Sequence, residues 1–346
     1  MKHFVYLGLI ALAAASTACS NDDDNQNYKP GEREDRIDFG NAFVNKSVSQ
    51  REAMTIDNLN EFNVWGFVET PESYVFDGTR VYFSGNDWRY DGVEYWYPNK
   101  QYWFTAIAPL GEDSGWYLTK LATPNSDKSY RGGGTVNFSN ITAEGDNDLI
   151  YAFAGPQSYD GTGTPAKVSF TFNHLLSQLR AEFTNRMTST TTIKIENVRF
   201  INSPSTGSID MTQENPVWEL GSGNDYYSAN TTLYTDMIGT DDSKIEFGKS
   251  GATEGVFVIP SDANHAYQLG FTVLVFNGVT QLASYPHVVN LPKTAFKMGR
   301  SYNLKAVITP ENVDPDKQLQ PIEFTVNQVN AWENDDDVEL DLNNHQ

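Results

Sequence analysis

Val168-Ser169-Phe170-Thr171-Phe172 alternates large apolar with small polar side chains. Successive side chains of an extended chain point to opposite faces, so this run predicts a strand with one buried face. The same kind of run recurs on both sides of it. Towards the N-terminus lie Ile37–Val44, Phe62–Val68, Arg80–Phe83, Gln101–Ala108, Thr135–Phe138 and Leu149–Phe153. The run Lys167–Phe172 is followed by Leu179–Phe183, Ile193–Ile201, Val256–Ile259, Tyr267–Phe276, Ser301–Ile308 and Ile322–Val329. Gly, Asn, Asp and Pro clusters separate them, and no amphipathic helix of three turns or more is readable. Phe271–Phe276 is apolar on both faces apart from Thr272, which suits a sandwich interior or a subunit contact. About a dozen short strands divided by turns predict an all-β chain of β-sandwiches. No short-period repeat points to a solenoid or propeller.

Length and charge bound the rest. A chain of 346 residues is long enough for two domains. The Gly- and Pro-rich stretch Gly155–Pro165 is the expected boundary, giving domains at 36–160 and 165–342. A net charge of −21 argues against nucleic acid as a partner and against docking on anionic lipid. With one cysteine, a disulfide framework is excluded.

That cysteine, Cys19, follows Lys2, the apolar run Phe4–Ala15 and the small residues Ser16-Thr17-Ala18. The layout is that of an export signal peptide over residues 1–18, too short to span a bilayer. Small residues ending in cysteine resemble the lipobox of bacterial lipoproteins, with Ser16 where leucine is usual. The resemblance implies cleavage before Cys19 and acylation of its thiol and new amino terminus. Several acyl chains would anchor the protein durably in the outer membrane. The alternative is an ordinary secretory peptide with an incidental cysteine. Asp22, Asp23 and Asp24 resemble the acidic surface-export signal that follows the lipidated cysteine in some Gram-negative anaerobes. Residues 19–35 otherwise read as an acidic, flexible tether.

Several of the β runs, taken in order, resemble the fimbrillin family, the lipoprotein pilins of type V pili and their surface relatives. Arg36-Ile37-Asp38-Phe39 is similar to its first strand and Phe62-Asn63-Val64-Trp65-Gly66-Phe67 to its second. Tyr95-Trp96-Tyr97-Pro98 with Tyr102–Pro109 is similar to its aromatic core hairpin, and Val168–Leu179 to the entry of its second domain. Gly299–Leu304 and Ile322–Trp332 are similar to its closing strands. The resemblance implies two tandem transthyretin-like, Greek-key β-sandwich domains and partnership with other fimbrillin subunits by strand exchange. In shaft pilins of the family an arginine-specific protease cuts after the first strand, and a neighbour's strand fills the groove. Arg51, in the polar stretch Asn45–Glu52, is the matching position here. Ile37, Phe39 and Ala42-Phe43 are the groove-lining candidates, with Val338–Leu342 a candidate donor segment. The alternative is an uncut Arg51 and a permanent first strand, as suits an anchor, tip or stand-alone protein.

Catalytic chemistry is hard to place. The histidines, His3, His174, His265, His287 and His345, show no metal-ligand spacing, and no nucleophile elbow, phosphate loop or zincin motif occurs. His174 reads as a packed, hydrogen-bonded structural residue. The expectation is a protein that is not an enzyme and holds no cofactor. Asp87-x-Arg89-x-Asp91-Gly92 fails as an EF-hand, because its third position is basic and its twelfth is Pro98. Asp335-Asp336-Asp337 reads as a solvated exit, with weak calcium binding the alternative. Trp65, Trp96 and Trp103 fall in strand patterns and read as core. Trp88 and Tyr90 sit in a polar hairpin and are the candidate exposed recognition aromatics, for a host or bacterial surface glycan or protein. A stand-alone glycan-binding lipoprotein is therefore the second functional reading.

Overall fold

The computed structural model describes residues 35–44, 58–69, 73–111, 115–119, 134–139, 148–213, 215–221, 231–234, 244–317 and 320–329. Among these residues the fold is β throughout, with twenty strands in four sheets.

The largest sheet has seven strands. They are β1 (Phe39–Val44), β2 (Glu61–Val68), β3 (Ser73–Ser84), β4 (Asp87–Tyr90), β5 (Gln101–Ala108), β8 (Ile150–Ser158) and β9 (Val168–His174). Their spatial order is β1-β9-β8-β5-β2-β3-β4. One apolar core, including Phe39, Phe62, Phe76, Tyr90, Phe104 and Phe170, is lined by strands of this one sheet. The sheet therefore curls until its first and last strands meet. Phe39 of β1 lies 5.8 Å edge-on to Tyr90 of β4, although five strands separate them in the sheet.

β5 shows why the curl holds. Tyr102, Phe104 and Ala106 enter the enclosed core, while Ile107 faces a second cluster on the outside. Both faces of β5 are buried, as its near-continuous apolar sequence requires. The outer cluster is capped by a four-stranded sheet of β6 (Trp116–Thr119), β7 (Thr135–Ser139), β12 (Thr206–Asp210) and β13 (Trp218–Leu220). Leu175, Leu176, Phe257 and Ile259 complete it.

The remaining strands form a two-sheet sandwich. One sheet holds β10 (Ser177–Asn185), β15 (Ser250–Ala252), β16 (Val256–Val258), β19 (Ser301–Ile308) and β20 (Phe324–Val329). The other holds β11 (Thr191–Ser203), β14 (Thr231–Tyr234), β17 (Gln268–Asn277) and β18 (Thr280–Asn290). Leu179, Phe183, Ile195, Phe271, Val273 and Leu304 are fully or almost fully buried in the core between them. Phe271–Phe276 lies in β17, flanked by β11 and β18. Its alternate residues Phe271, Val273 and Val275 face the core, and Lys244 Nζ stands 3.8 Å over the ring of Phe276.

Three sequence expectations shift. Gly155–Ser158 belong to β8 and the rest of Gly155–Pro165 leads on to β9, its neighbour in one sheet, with Ile150 opposite His174. Val168–His174 thus completes the first sheet rather than opening the second half, because its buried face, Val168, Phe170 and Phe172, fits the first core. In β1, Phe43 does not line the interior. The register slips between Phe39 and Ala42, so Ile37, Phe39 and Ala42 point inward while Phe43 is 48% exposed. The eleven-residue strand β18 is missing from the periodicity reading. Its sequence is mixed and carries Pro286, which an edge strand tolerates.

Candidate functional site

The site that the fold constructs is the seam where β1 and β4 meet. β1 has a hydrogen-bonded neighbour on one side, β9, in parallel register: Phe39 faces Val168, Ala42 faces Phe170 and Val44 faces Phe172. Its other edge meets β4 through side chains. The lead-in is pinned by main-chain bonds, from Ile37 N–H to the Glu94 carbonyl (2.8 Å) and from Trp96 N–H to the Asp35 carbonyl (2.9 Å). Val168 N–H donates to the Asp38 carbonyl (2.8 Å).

Gly40 makes the parallel approach feasible. A Cβ there would lie 2.9 Å from Ser169 Oγ and 3.0 Å from Lys167 Cβ, closer than ordinary packing allows. Phe39, 2% exposed, is the main anchor. It lies 5.9 Å from Phe170 in a stacked pair and 5.4 to 6.4 Å from Phe62, Phe76, Tyr90 and Phe104.

Tyr90 corrects the sequence reading. It is buried, because β4 is the last strand of a curled sheet and its inward side chain meets β1. Its hydroxyl donates to the Ile37 carbonyl (2.8 Å) and accepts from Glu94 N–H (3.0 Å). Burial holds the phenol pKa above its usual value, with Arg36 nearby opposing the shift. The group therefore remains a protonated donor that ties β4 to β1. Trp88 is half-buried and packs on Phe62 (4.9 Å) and Phe83 (5.2 Å).

Outside this contact lies a cleft of about 420 Å³, lined by Arg36, Asp38, Trp88, Arg89 and Lys167 among others. Arg36 Nε is 2.9 Å from Asp38, and its guanidinium lies 5.0 Å over the Tyr90 ring. Lys167 Nζ is 3.1 Å from Asp87, a clasp between the lead-in to β9 and the start of β4. Tyr82 donates to Asp91. Arg36 and Lys167 were not singled out in the sequence. They converge because β1 and β9 run parallel, so the residues preceding each strand emerge at the same end.

His174 is the packed residue expected. Its Nδ1 lies 2.8 Å from Asp148 Oδ2, and both side chains are 1% exposed. Asp148 Oδ1 also accepts from Leu149 N–H (2.8 Å). The pair closes the base of the β8–β9 pairing, since Asp148 lies just ahead of Ile150, which faces His174. Trp96, Trp103 and Trp116 are buried, and Trp65 packs on Trp116 at 6.0 Å. Cys19, Asp22, Asp23, Asp24, Arg51, Asp335–Asp337 and Val338–Leu342 lie outside the described residues.

Comparison with known proteins agrees with this architecture. A fimbrial protein from Bacteroides vulgatus is 17% identical, with a TM-score of 0.58 over 86% of this chain and 99% of that one. A candidate cell adhesion protein from Bacteroides uniformis is 13% identical over 86% and 98%, with a TM-score of 0.47. The fimbrial anchor protein from Porphyromonas gingivalis is 10% identical over 84% and 97%, with a TM-score of 0.36. No curated protein matches the sequence at a significant level. The family model described as fimbrillin-like matches residues 51–328, most of the chain, a span that holds β2 to β19 and all but the last residue of β20, with β1 ahead of it. The chain belongs to the fimbrillin-like family.

Proposed function

We propose that this chain is a non-enzymatic, lipid-anchored subunit of a surface fimbria or adhesive assembly, joined to its neighbours by β-strand addition. The observation that carries this reading is the placement of β1. It is an edge strand with one ladder, held by three inward side chains, and its removal would open a groove between β9 and β4. An open groove exposes main-chain donors and an apolar strip, a state that sheet proteins avoid by taking in another strand. Export through residues 1–18, acylation at Cys19 and surface display through Asp22, Asp23 and Asp24 place the subunit at the outer membrane. Residues 36–160 and 165–342 remain the proposed halves, with Val168–His174 lent by the second to the sheet of the first.

Amino-terminal sequencing of surface-shed protein tests the reading. A start at Glu52, with polymer ladders that Arg51→Ala abolishes, supports a polymerising subunit. A uniform Cys19 terminus without ladders overturns strand exchange at this position. Labelled fatty acid that still enters the Cys19→Ala protein refutes the anchor. Unchanged external protease access after replacing Asp22, Asp23 and Asp24 with Ala refutes the export role of the tract.

A further inference from the structure

Residues 263–292 contain no Asp, Glu, Lys or Arg, although such residues make up 20% of the chain. The stretch holds β17 and β18, a hairpin closed by the turn at Gly278-Val279. Among the described residues β18 is the last strand of its sheet. Alternation gives the hairpin two faces. Phe271, Val273 and Val275 of β17 lie in the core of the second sandwich, and Ala283, Tyr285 and Val289 of β18 pack against it. The opposite face presents Leu274 and Phe276 of β17 with Ser284, Pro286 and Val288 of β18. Leu274 stands opposite Ser284 and Thr272 opposite Pro286, so these side chains form one strip across both strands. Val288 is 56% exposed, and so is 60% of Leu282, the residue left over where the register slips.

The charges around the strip narrow its occupant. On the adjoining strand β11, Lys194 and Glu196 pair with each other at 3.0 Å, and the Arg199 side chain lies over Gly270. At the turn, Lys244 Nζ donates to the Gly278 carbonyl (2.9 Å) and covers the Phe276 ring. The margin therefore offsets, locally, the net charge of −21 that keeps two copies of this chain apart. A partner with charged groups facing the strip would strand them without counter-ions. A second copy offers the same uncharged strip, and exposed apolar patches depleted of charge are what the centres of protein contacts are made of. Pairing along the edge of β18 fits less well, because Pro286 has no N–H to give midway along it. Packing through the face needs no main-chain bonds.

We infer that the β17–β18 face binds a second copy of the same chain, face against face about a two-fold axis. Leu274, Phe276, Pro286 and Val288 of each copy cover those of the other, as the inner faces of a β-sandwich do. Each chain supplies the same patch, so the contact closes at two. The apolar character of Phe271–Phe276 on both sides is then accounted for, one side facing the core and the other the partner. β17 and β18 lie in the second sandwich, so the face survives removal or exchange of β1. This lateral contact is independent of strand addition at β1, and the two are read by separate assays and fail separately.

The test is sedimentation equilibrium of the complete mature chain carrying Cys19→Ala, so that no acyl group contributes, from about 1 to about 100 µM. A monomer–dimer equilibrium is expected in this range, tighter as salt rises, because screening weakens the repulsion between like-charged copies. Ser284→Asp and Ser284→Lys each put a charge into the strip of both copies. Each is expected to weaken the dimer about a hundredfold, about tenfold per copy. Ser284 is exposed and already polar, so both variants should keep the unfolding midpoint of the wild-type monomer. Tyr117→Asp charges another exposed ring, 62% exposed on the four-stranded sheet, and is expected to leave the dimer unchanged. With Cys19→Ala, Ser284→Cys supplies the chain's one thiol, and a short bismaleimide should join two copies through it. A monomer at every concentration, a dimer that Ser284→Asp leaves as tight as before, or one that Tyr117→Asp weakens equally overturns the proposal. A monomer that sediments with neutral lipid vesicles, and no longer does so in Ser284→Asp, overturns it by assigning the face to a membrane.

Discussion

Phe39 and Phe43 are the same side chain, four residues apart on one strand, and the fold gives them opposite environments. Phe39 is 2% exposed among five aromatic rings, whereas Phe43 is 48% exposed on the outer face. Replacing Phe39 with Ala forfeits the transfer free energy of a buried ring, about 1.5–3 kcal/mol. It also leaves a cavity walled by Phe62, Phe76, Phe104 and Phe170, rigid rings that close poorly, so the total should reach about 3–5 kcal/mol. Phe43→Ala removes a ring that water already reaches on one side and should cost less than about 1 kcal/mol. Urea unfolding of the mature protein, read by fluorescence of the tryptophans in this half, measures both through shifts in midpoint at unchanged slope. The same loss falls on the retention of β1, since Phe39 is its largest anchor. The population with β1 released should rise by about two to four orders of magnitude in Phe39→Ala. It is read as faster cleavage after the first strand and faster uptake of an added peptide that copies residues 37–44. Equal costs for the two variants would refute the inward–outward assignment. A large cost for Phe39→Ala without faster strand uptake would refute β1 as the exchangeable element.

Three further outcomes follow from individual contacts. His174→Ala removes one partner of Asp148, whose side chain is 1% exposed, and should destabilise by about 3–5 kcal/mol, with Asp148→Ala/His174→Ala costing clearly less than the sum of the single variants. Gly66→Ala would place a Cβ 2.7 Å from Phe76 and 3.1 Å from Phe104, rings on both neighbouring strands, and should cost about 1–3 kcal/mol by overpacking, measured as a lowered urea midpoint. Burial holds the His287 pKa below its usual value, outweighing the bond to the Val313 carbonyl, so the unfolded chain takes up the proton first. This contribution to stability is present above the ordinary histidine pKa and is lost as pH falls below about 6.5. In His287→Gln the drop in urea midpoint between neutral and mildly acidic pH should shrink, and an unchanged drop would refute the assignment.

What the sequence determined alone is the class of element and which side of it is wet. Alternation is a local property of an extended chain, so Val168–Phe172 was legible as a strand with its buried face, and Gln101–Ala108 and Ser301–Ile308 as strands from their apolar, β-favouring runs. His174 as a packed residue and Trp96 and Trp103 as core followed from the same patterns. Strands with few inward residues escaped, as β12, β13 and β18 did, because an edge or cap strand has little periodicity to display. Partners were not legible, since a strand's hydrogen bonds go to chain far away in sequence. Only the tertiary structure decided that β9 belongs beside β1, that the loop after β8 joins neighbours in one sheet, and that the sheet curls until β4 reaches β1. That closure buries Tyr90, which its polar surroundings in sequence made look exposed. It also gathers Arg36, Arg89 and Lys167, separated by scores of residues, around one cleft. The physical reason is the same in each case: periodicity is written residue by residue, whereas register and closure depend on how whole apolar faces fit together.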